Sequence, residues 1–185
     1  RHKPLAHVPH KYLEGQKSYL SVIEKKDILL YYPYHDFNYL IDTLREAAID
    51  PEVTSIKINL YRVAENSKVM NALINAVNNG KKVLAVIELQ ARFDEQANIH
   101  WSETLQKEGV RVIFGVQGLK VHAKLIVITK KRKNKEIKFA HIGTGNFHEK
   151  TADIYTDISL FTCHQGMANE ADKIFEFFEN PYKVK

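Results

Sequence analysis

The residues best equipped for chemistry lie between Leu119 and Asn146. The stretch opens with Leu-Lys-Val-His-Ala-Lys (Leu119 to Lys124), runs on as an apolar strand, turns through a basic loop and returns into Gly-Thr-Gly-Asn (Gly143 to Asn146). Strand side chains alternate with period two, so His122 and Lys124 are expected on one face. A lone histidine in an apolar strand is ordinarily a hydrogen-bonded core residue. Two neighbours argue for more: Lys124 is costly to bury without an anion, and a Gly-Thr-Gly-Asn turn offers backbone N–H groups of the kind that cradle phosphate. A neutral imidazole among fixed positive charges suits phosphoryl transfer through a phosphohistidine, which divides one hard step into two easier ones.

The elements that must position these residues follow from hydrophobic period. Asp27 to Tyr32 reads as a strand, and Phe37, Leu40, Ile41, Leu44 and Ala48 recur at helical spacing, with Asp36 as a candidate cap. Ser55 to Val63 alternates as a second strand. A helix capped by Asn66 or Ser67 then carries Val69, Met70, Leu73, Ala76 and Val77 and closes at Gly80. Val83 to Leu89 (strand), Asp94 to Glu108 (helix, closed by Gly109) and Val110 to Val116 (strand) repeat the pattern, which predicts parallel strands with crossover helices.

Only Gln117 to Lys120 separates that strand from the one expected over Val121 to Thr129. A parallel crossover needs about a dozen residues, so the chain should reverse here. Strands over Ile137 to Gly143 and Ile154 to Thr162 and a helix over Met167 to Phe178 complete the reading, an α/β fold with a mixed, mostly parallel sheet flanked by helices. Ligands of open α/β folds bind at the carboxyl ends of the strands. Connection lengths then bring Arg62, Arg92, His122, Lys124, Gly143, Gly145, Asn146 and Tyr155 to one edge of the sheet.

Composition narrows the setting. The chain has 185 residues, 44% hydrophobic and 26% charged, which fits one globular unit, residues 21–185, preceded by an arm over residues 1–20 that is rich in Pro, His and basic residues. No apolar run is long enough to span a bilayer, and no secretory signal is apparent. A single cysteine, Cys163, excludes an intramolecular disulfide framework and favours a cytoplasmic setting. A net charge of +5 predicts an anionic partner: polyphosphate, a nucleotide, nucleic acid or an acidic lipid surface. The run Lys130-Lys131-Arg132-Lys133-Asn134-Lys135 reads as a solvated hairpin turn.

The ordered blocks carry a resemblance. His-x-Lys followed by Gly-x-Gly-Asn resembles a half-site of the phospholipase D superfamily, with Thr129 where that pattern has Asp. Asn59 to Ala64, Glu88 to Glu95, Gly118 to Lys124, Gly143 to Phe147 and Tyr155-Thr-Asp together resemble the bacterial polyphosphate kinases more closely, in that family's order. The resemblance implies a phospholipase D-like domain of an enzyme that reversibly moves the terminal phosphate of ATP onto inorganic polyphosphate, with Mg2+ accompanying the nucleotide. It implies His122 as the phosphorylated residue, Arg62 and Arg92 at the phosphate and magnesium site, and Tyr155 as a nucleotide contact. Because Mg2+ takes oxygen donors, the arginines would reach it through phosphate. The resemblance also implies further domains of the same polypeptide, an oligomer, and an excised domain inactive by itself. Nucleic acid is not expected as a partner, and membrane association is left open. Two alternatives remain: a phospholipase D-like phosphodiesterase, against which Thr129 counts, and a non-enzymatic polyanion-binding module.

Overall fold

The computed structural model describes residues 6–88, 95–116 and 118–182. The expected Arg92 therefore lies outside the described residues, as does Gln117. The elements in chain order are α1 (Tyr19–Ile23), β1 (Ile28–Tyr32), α2 (Asn38–Ile49), β2 (Val53–Leu60), α3 (Lys68–Asn78), β3 (Lys82–Ile87), α4 (Glu95–Lys107), β4 (Arg111–Phe114), β5 (Lys124–Arg132), β6 (Lys135–Gly143), α5 (Glu149–Ala152), β7 (Asp157–Thr162) and α6 (Gln165–Glu179).

Local sequence accounts for most of these boundaries. Ser67 caps α3 by accepting the Met70 N–H, and Gly80 ends the turn beyond it at φ 76°, a conformation that favours a residue without Cβ. Asp36 does not cap α2; the cap position is Phe37, and the Asp36 carboxylate accepts the Asn38 N–H at 2.8 Å. The short helix α1 was not legible as a helix. Ser18 caps it, and the Glu46 carboxylate on α2 accepts the Tyr19 N–H at 2.7 Å. Leu13 and Leu20, in the segment read as an arm, both lie in the hydrophobic core.

The seven strands form one sheet in the order β1-β7-β6-β5-β2-β3-β4. Only the β2–β3 and β3–β4 ladders are parallel; the other four are antiparallel. The expectation of a mostly parallel sheet is corrected accordingly, because strand, helix, strand alternation governs only the β2 to β4 third of the chain. β5 runs in the expected direction but does not neighbour β4. Its ladders are with β2 and β6, so β2 and β3 lie between it and β4. The strand begins at Lys124 rather than Val121, so His122 stands just before it.

One face of the sheet carries the larger core, in which Ile56, Ile58, Ile126 and Phe139 meet Leu44, Met70, Leu73 and Leu105 of the helices. The other face is covered by α6, whose Ala168, Ala171, Phe175 and Phe178 form a second cluster with Leu84, Val86, Leu125, Val127 and Ala140. The basic run is a continuation of the β5–β6 hairpin. Lys133 takes the left-handed turn position at φ 56°, Lys130 is buried against Asp50 at 2.7 Å, and Arg132 pairs with Glu24 and Glu52. No helix among the described residues is long and apolar enough to cross a membrane.

A buried charge fixes α6 to the sheet. The Asp172 carboxylate receives Lys57 Nζ at 2.5 Å and Lys138 Nζ at 2.7 Å, from β2 and β6. Burial raises the Asp172 pKa, but the Lys138 and Lys57 ammonium groups outweigh that and hold it below the ordinary 3.8. The Asp172→Ala protein should lose about 2 kcal/mol in denaturant unfolding at neutral pH, since the half-buried Lys57 and Lys138 ammonium groups lose the carboxylate they share. In the unsubstituted protein this contribution is fully present above pH 3.8 and is lost as the pH falls through the lower folded value. A variant as stable as the parent at pH 7 would contradict the account.

Candidate active site

The chain directions bring the carboxyl ends of β2, β3 and β4, the start of β5, the end of β6 and the start of β7 to one edge. In register, Lys124 on β5 faces Gly143 on β6, which faces Ser159 on β7. The structure therefore brings together the ends of the Leu119 to Asn146 stretch, as connection lengths predict.

Lys124 is only 4% exposed, while His122 beside it is exposed. Lys124 Nζ lies within 3.0 Å of both ring nitrogens of His122 and donates to the His122 carbonyl at 2.6 Å. The imidazole also leans edge-on against Tyr61, with centroids 4.6 Å apart. Three cations surround that phenol ring: Lys124 at 5.3 Å, Lys120 at 5.7 Å and Arg62 at 5.9 Å from its centroid.

These neighbours set the charge state. Burial lowers the Lys124 pKa to about 8, with Asp157 pulling it up and Arg62 pushing it down. The His122 pKa lies below 6.5 because of partial burial and then the charges of Lys124, Lys120 and Arg62, so the imidazole is neutral at pH 7. His141 supplies the contrast. It is fully buried on β6, Nε2 is 2.8 Å from Ser159 Oγ, and burial takes its pKa down to about 3. His141 is a core histidine; His122 has the exposure that chemistry needs.

The glycine turn has packing reasons of its own. A Cβ on Gly143 would come 2.8 Å from His141 Cε1, and one on Gly145 would come 2.6 Å from Asp157 Cγ. Thr144 is committed as well: its N–H donates to the Ile158 carbonyl at 3.0 Å and its hydroxyl to Asp157 at 2.7 Å. Tyr155, 61% exposed, stands two residues before β7 begins.

Sequence reading did not single out Asn59, Tyr61, Glu88, Asn98, Lys120 or Asp157 as site residues. Asn98, nearly fully buried on α4, donates to the Tyr61 and Glu88 carbonyls at 2.9 Å each and so joins the ends of β2 and β3. The available signal was a polar residue inside an apolar strand, as with Asn59 in Ile58-Asn59-Leu60.

A cleft of about 1140 Å3 opens beside this edge, lined among others by Val63, Ala64, His100, Trp101, His148 and Glu149. Its charged lining is mainly acidic, with Asp36, Glu65, Glu95, Glu149 and Asp153 against Lys68 and Lys150, the wrong sign for phosphate. Glu149 also occupies the α3 N-terminus, accepting the Lys68 N–H at 2.7 Å. The cationic cluster lies instead around His122.

The sequence model described as polyphosphate kinase C-terminal domain 1 matches residues 18–184. The chain belongs to the polyphosphate kinase family. It is 54% identical over 181 residues to a polyphosphate kinase of Vibrio parahaemolyticus serotype O3:K6, covering 98% of this chain and 26% of that one. To a polyphosphate kinase of Escherichia coli it is 50% identical over 183 residues, covering 98% and 27%. The chain thus spans about a quarter of the length of the curated relatives it matches. The crystal structure of polyphosphate kinase from Porphyromonas gingivalis superposes with a TM-score of 0.84 at 36% identity, over 98% of this chain and 31% of that chain. The phospholipase D family member Nuc from Salmonella typhimurium shares the fold, with a TM-score of 0.63 at 19% identity over 84% of this chain and 92% of that chain.

Replacing Lys124 by Met removes the nearest cation from the His122 imidazole. The His122 titration midpoint, followed by NMR of its ring protons, should rise toward 6.5 but stop short of it, because partial burial, Lys120 and Arg62 remain. An unmoved midpoint would show that Lys124 does not act on the ring.

Proposed function

We propose that this chain is the domain of a polyphosphate kinase that supplies the phosphohistidine nucleophile, in an enzyme that reversibly moves the terminal phosphate of ATP onto inorganic polyphosphate. The observation that carries the reading is the exposed, neutral His122 imidazole set among Lys124, Lys120 and Arg62.

In the forward direction an imidazole nitrogen of His122 attacks the γ-phosphorus of ATP. The N–P bond forms as the bond from phosphorus to the β,γ-bridging oxygen breaks, and ADP leaves with that electron pair. A terminal phosphate oxygen of polyphosphate then attacks the same phosphorus and the N–P bond breaks, which restores the neutral imidazole and lengthens the chain by one unit. Lys124 and Arg62 balance charge on the non-bridging oxygens. Arg92 takes the same role in the family pattern, and the Gly145 to Asn146 turn faces the phosphate end. The exposed Tyr155 ring suits a base.

Mg2+ is the expected companion of the nucleotide. Among the described residues no group of three or more His, Cys, Asp or Glu side chains is arranged to hold a metal ion, and the residues nearest His122 are cationic. The described residues therefore do not fit a protein-held Mg2+ site; the ion belongs with the phosphate oxygens. The remaining domains of a longer polypeptide complete the site, and the domain by itself is inactive. The setting is cytoplasmic, and the working enzyme is an oligomer.

The test uses the full-length protein that carries this domain, ATP labelled in its terminal phosphate, and Mg2+. Bound label should survive alkali, vanish in acid, and fall by roughly a hundredfold or more in His122→Ala. Undiminished labelling in His122→Ala would refute the assignment.

A further inference from the structure

On its β2 side the segment that carries His122 runs past the end of the ladder, while on the other side Lys124 and Leu125 pair with Gly143 and Ile142 of β6. The β2–β5 ladder ends at Ile58 opposite Ile126, and the stretch before β5 contains only the isolated Val116–Leu119 bridge. Its backbone groups are nevertheless met at alternate residues. Val121 N–H donates to Glu88 Oε2 at 3.0 Å, Asn59 Nδ2 donates to the Ala123 carbonyl, and Leu125 N–H donates to Asn59 Oδ1 at 2.6 Å. Side chains from the ends of β2 and β3 thus take the place of a neighbouring strand.

The two supports are themselves rigid. Asn59 is fully buried and Glu88 is 6% exposed. The Glu88 main chain is bonded on both sides, its N–H to the Leu60 carbonyl at 3.0 Å and its carbonyl to Asn98 at 2.9 Å. An asparagine amide offers a donor and an acceptor in one plane, matching a strand's C=O and N–H; aspartate has no donor and leucine neither. A buried Asn in an apolar strand is destabilising unless both ends are bonded, and here both are.

We propose that Asn59 and Glu88 are positioning residues for His122, holding residues 121–125 as a strand built against side chains so that the imidazole meets phosphorus at a fixed distance and angle. The inference rests on the reading of His122 as the nucleophile. The geometry gives it a specific form: residues 121, 123 and 125 are pinned, and the two residues between them, His122 and Lys124, are the ones that project into the site.

The experiment measures phosphoenzyme formation in the full-length protein bearing Asn59→Leu, Asn59→Asp or Glu88→Ala, with thermal unfolding recorded on each. A misplaced nucleophile should cost about a hundredfold in the rate of labelling, while the ATP concentration for half-maximal rate changes by less than about threefold, since the Asn59 amide and Glu88 Oε2 are engaged with the backbone of residues 121, 123 and 125. The acid limb of the pH–rate profile should also move to higher pH, because a loosened imidazole leaves Lys124, Lys120, Arg62 and the Tyr61 ring. A folded Asn59 variant that labels within twofold of the parent would overturn the proposal. So would a loss that only tracks the folded fraction with the acid limb unmoved. If both Asn59 variants fail to fold, Glu88→Ala decides by the same criteria. Labelling retained in His122→Ala would instead overturn the reading beneath it, so the two failures are distinguishable.

Discussion

A buried ammonium at the head of an apolar strand needs negative charge near it, and the Lys124 ammonium is given little. It donates to the His122 carbonyl and feels Asp157, while Arg62 opposes it. The residue across from it in β6 is a glycine, so no side chain fills that position or answers the charge. Desolvation without full compensation lowers the pKa to about 8. An anion brought to this edge would supply the missing charge, so the arrangement favours an anionic ligand.

Strand order makes this cluster possible. If β5 paired with β4 as a simple hairpin, His122 would sit at the rim of the sheet, strands away from Tyr61 and Arg62. Placing β5 between β2 and β6 brings Val121 to Glu88 at the end of β3 and sets His122 against Tyr61. The cost is a segment whose backbone groups lie outside any ladder, and buried backbone groups must be satisfied. Asn59 and Glu88 meet that need, so the same crossover that builds the site also requires polar residues in otherwise apolar strands.

Much of this was legible in the sequence. Apolar period gave the major helices and strands, and connection length gave the direction of β5 and the convergence on one edge. Adjacency was not available, because a short connection sets direction but does not say which strand lies alongside. The helix α1 was hidden by its brevity; a five-residue helix shows no period, and its capping by Glu46 is a tertiary contact. Among site residues, His122 and Lys124 declared themselves by spacing. Asn59, Glu88 and Asn98 did not, since what they do is satisfy the backbone of a distant segment, and no local pattern records that. The Gly143 and Gly145 positions looked like a phosphate cradle, whereas their nearest constraints are His141 and Asp157.

The charges at this edge serve two ends at once. The positive charge of Lys124, Lys120 and Arg62 favours an anion at this edge and, by repulsion, keeps a proton off His122. A protonated imidazole has no lone pair to offer phosphorus, so a site that is cationic before the ligand arrives already holds the ring in its reactive form. When the anion enters, its charge raises the pKa of both Lys124 and His122. Lys124 then stays charged at mildly alkaline pH, where its lowered value of about 8 would otherwise leave it near its midpoint. Attraction for an anion and the neutral state of the ring therefore come from one electrostatic arrangement, and weakening any of the three cations would diminish both.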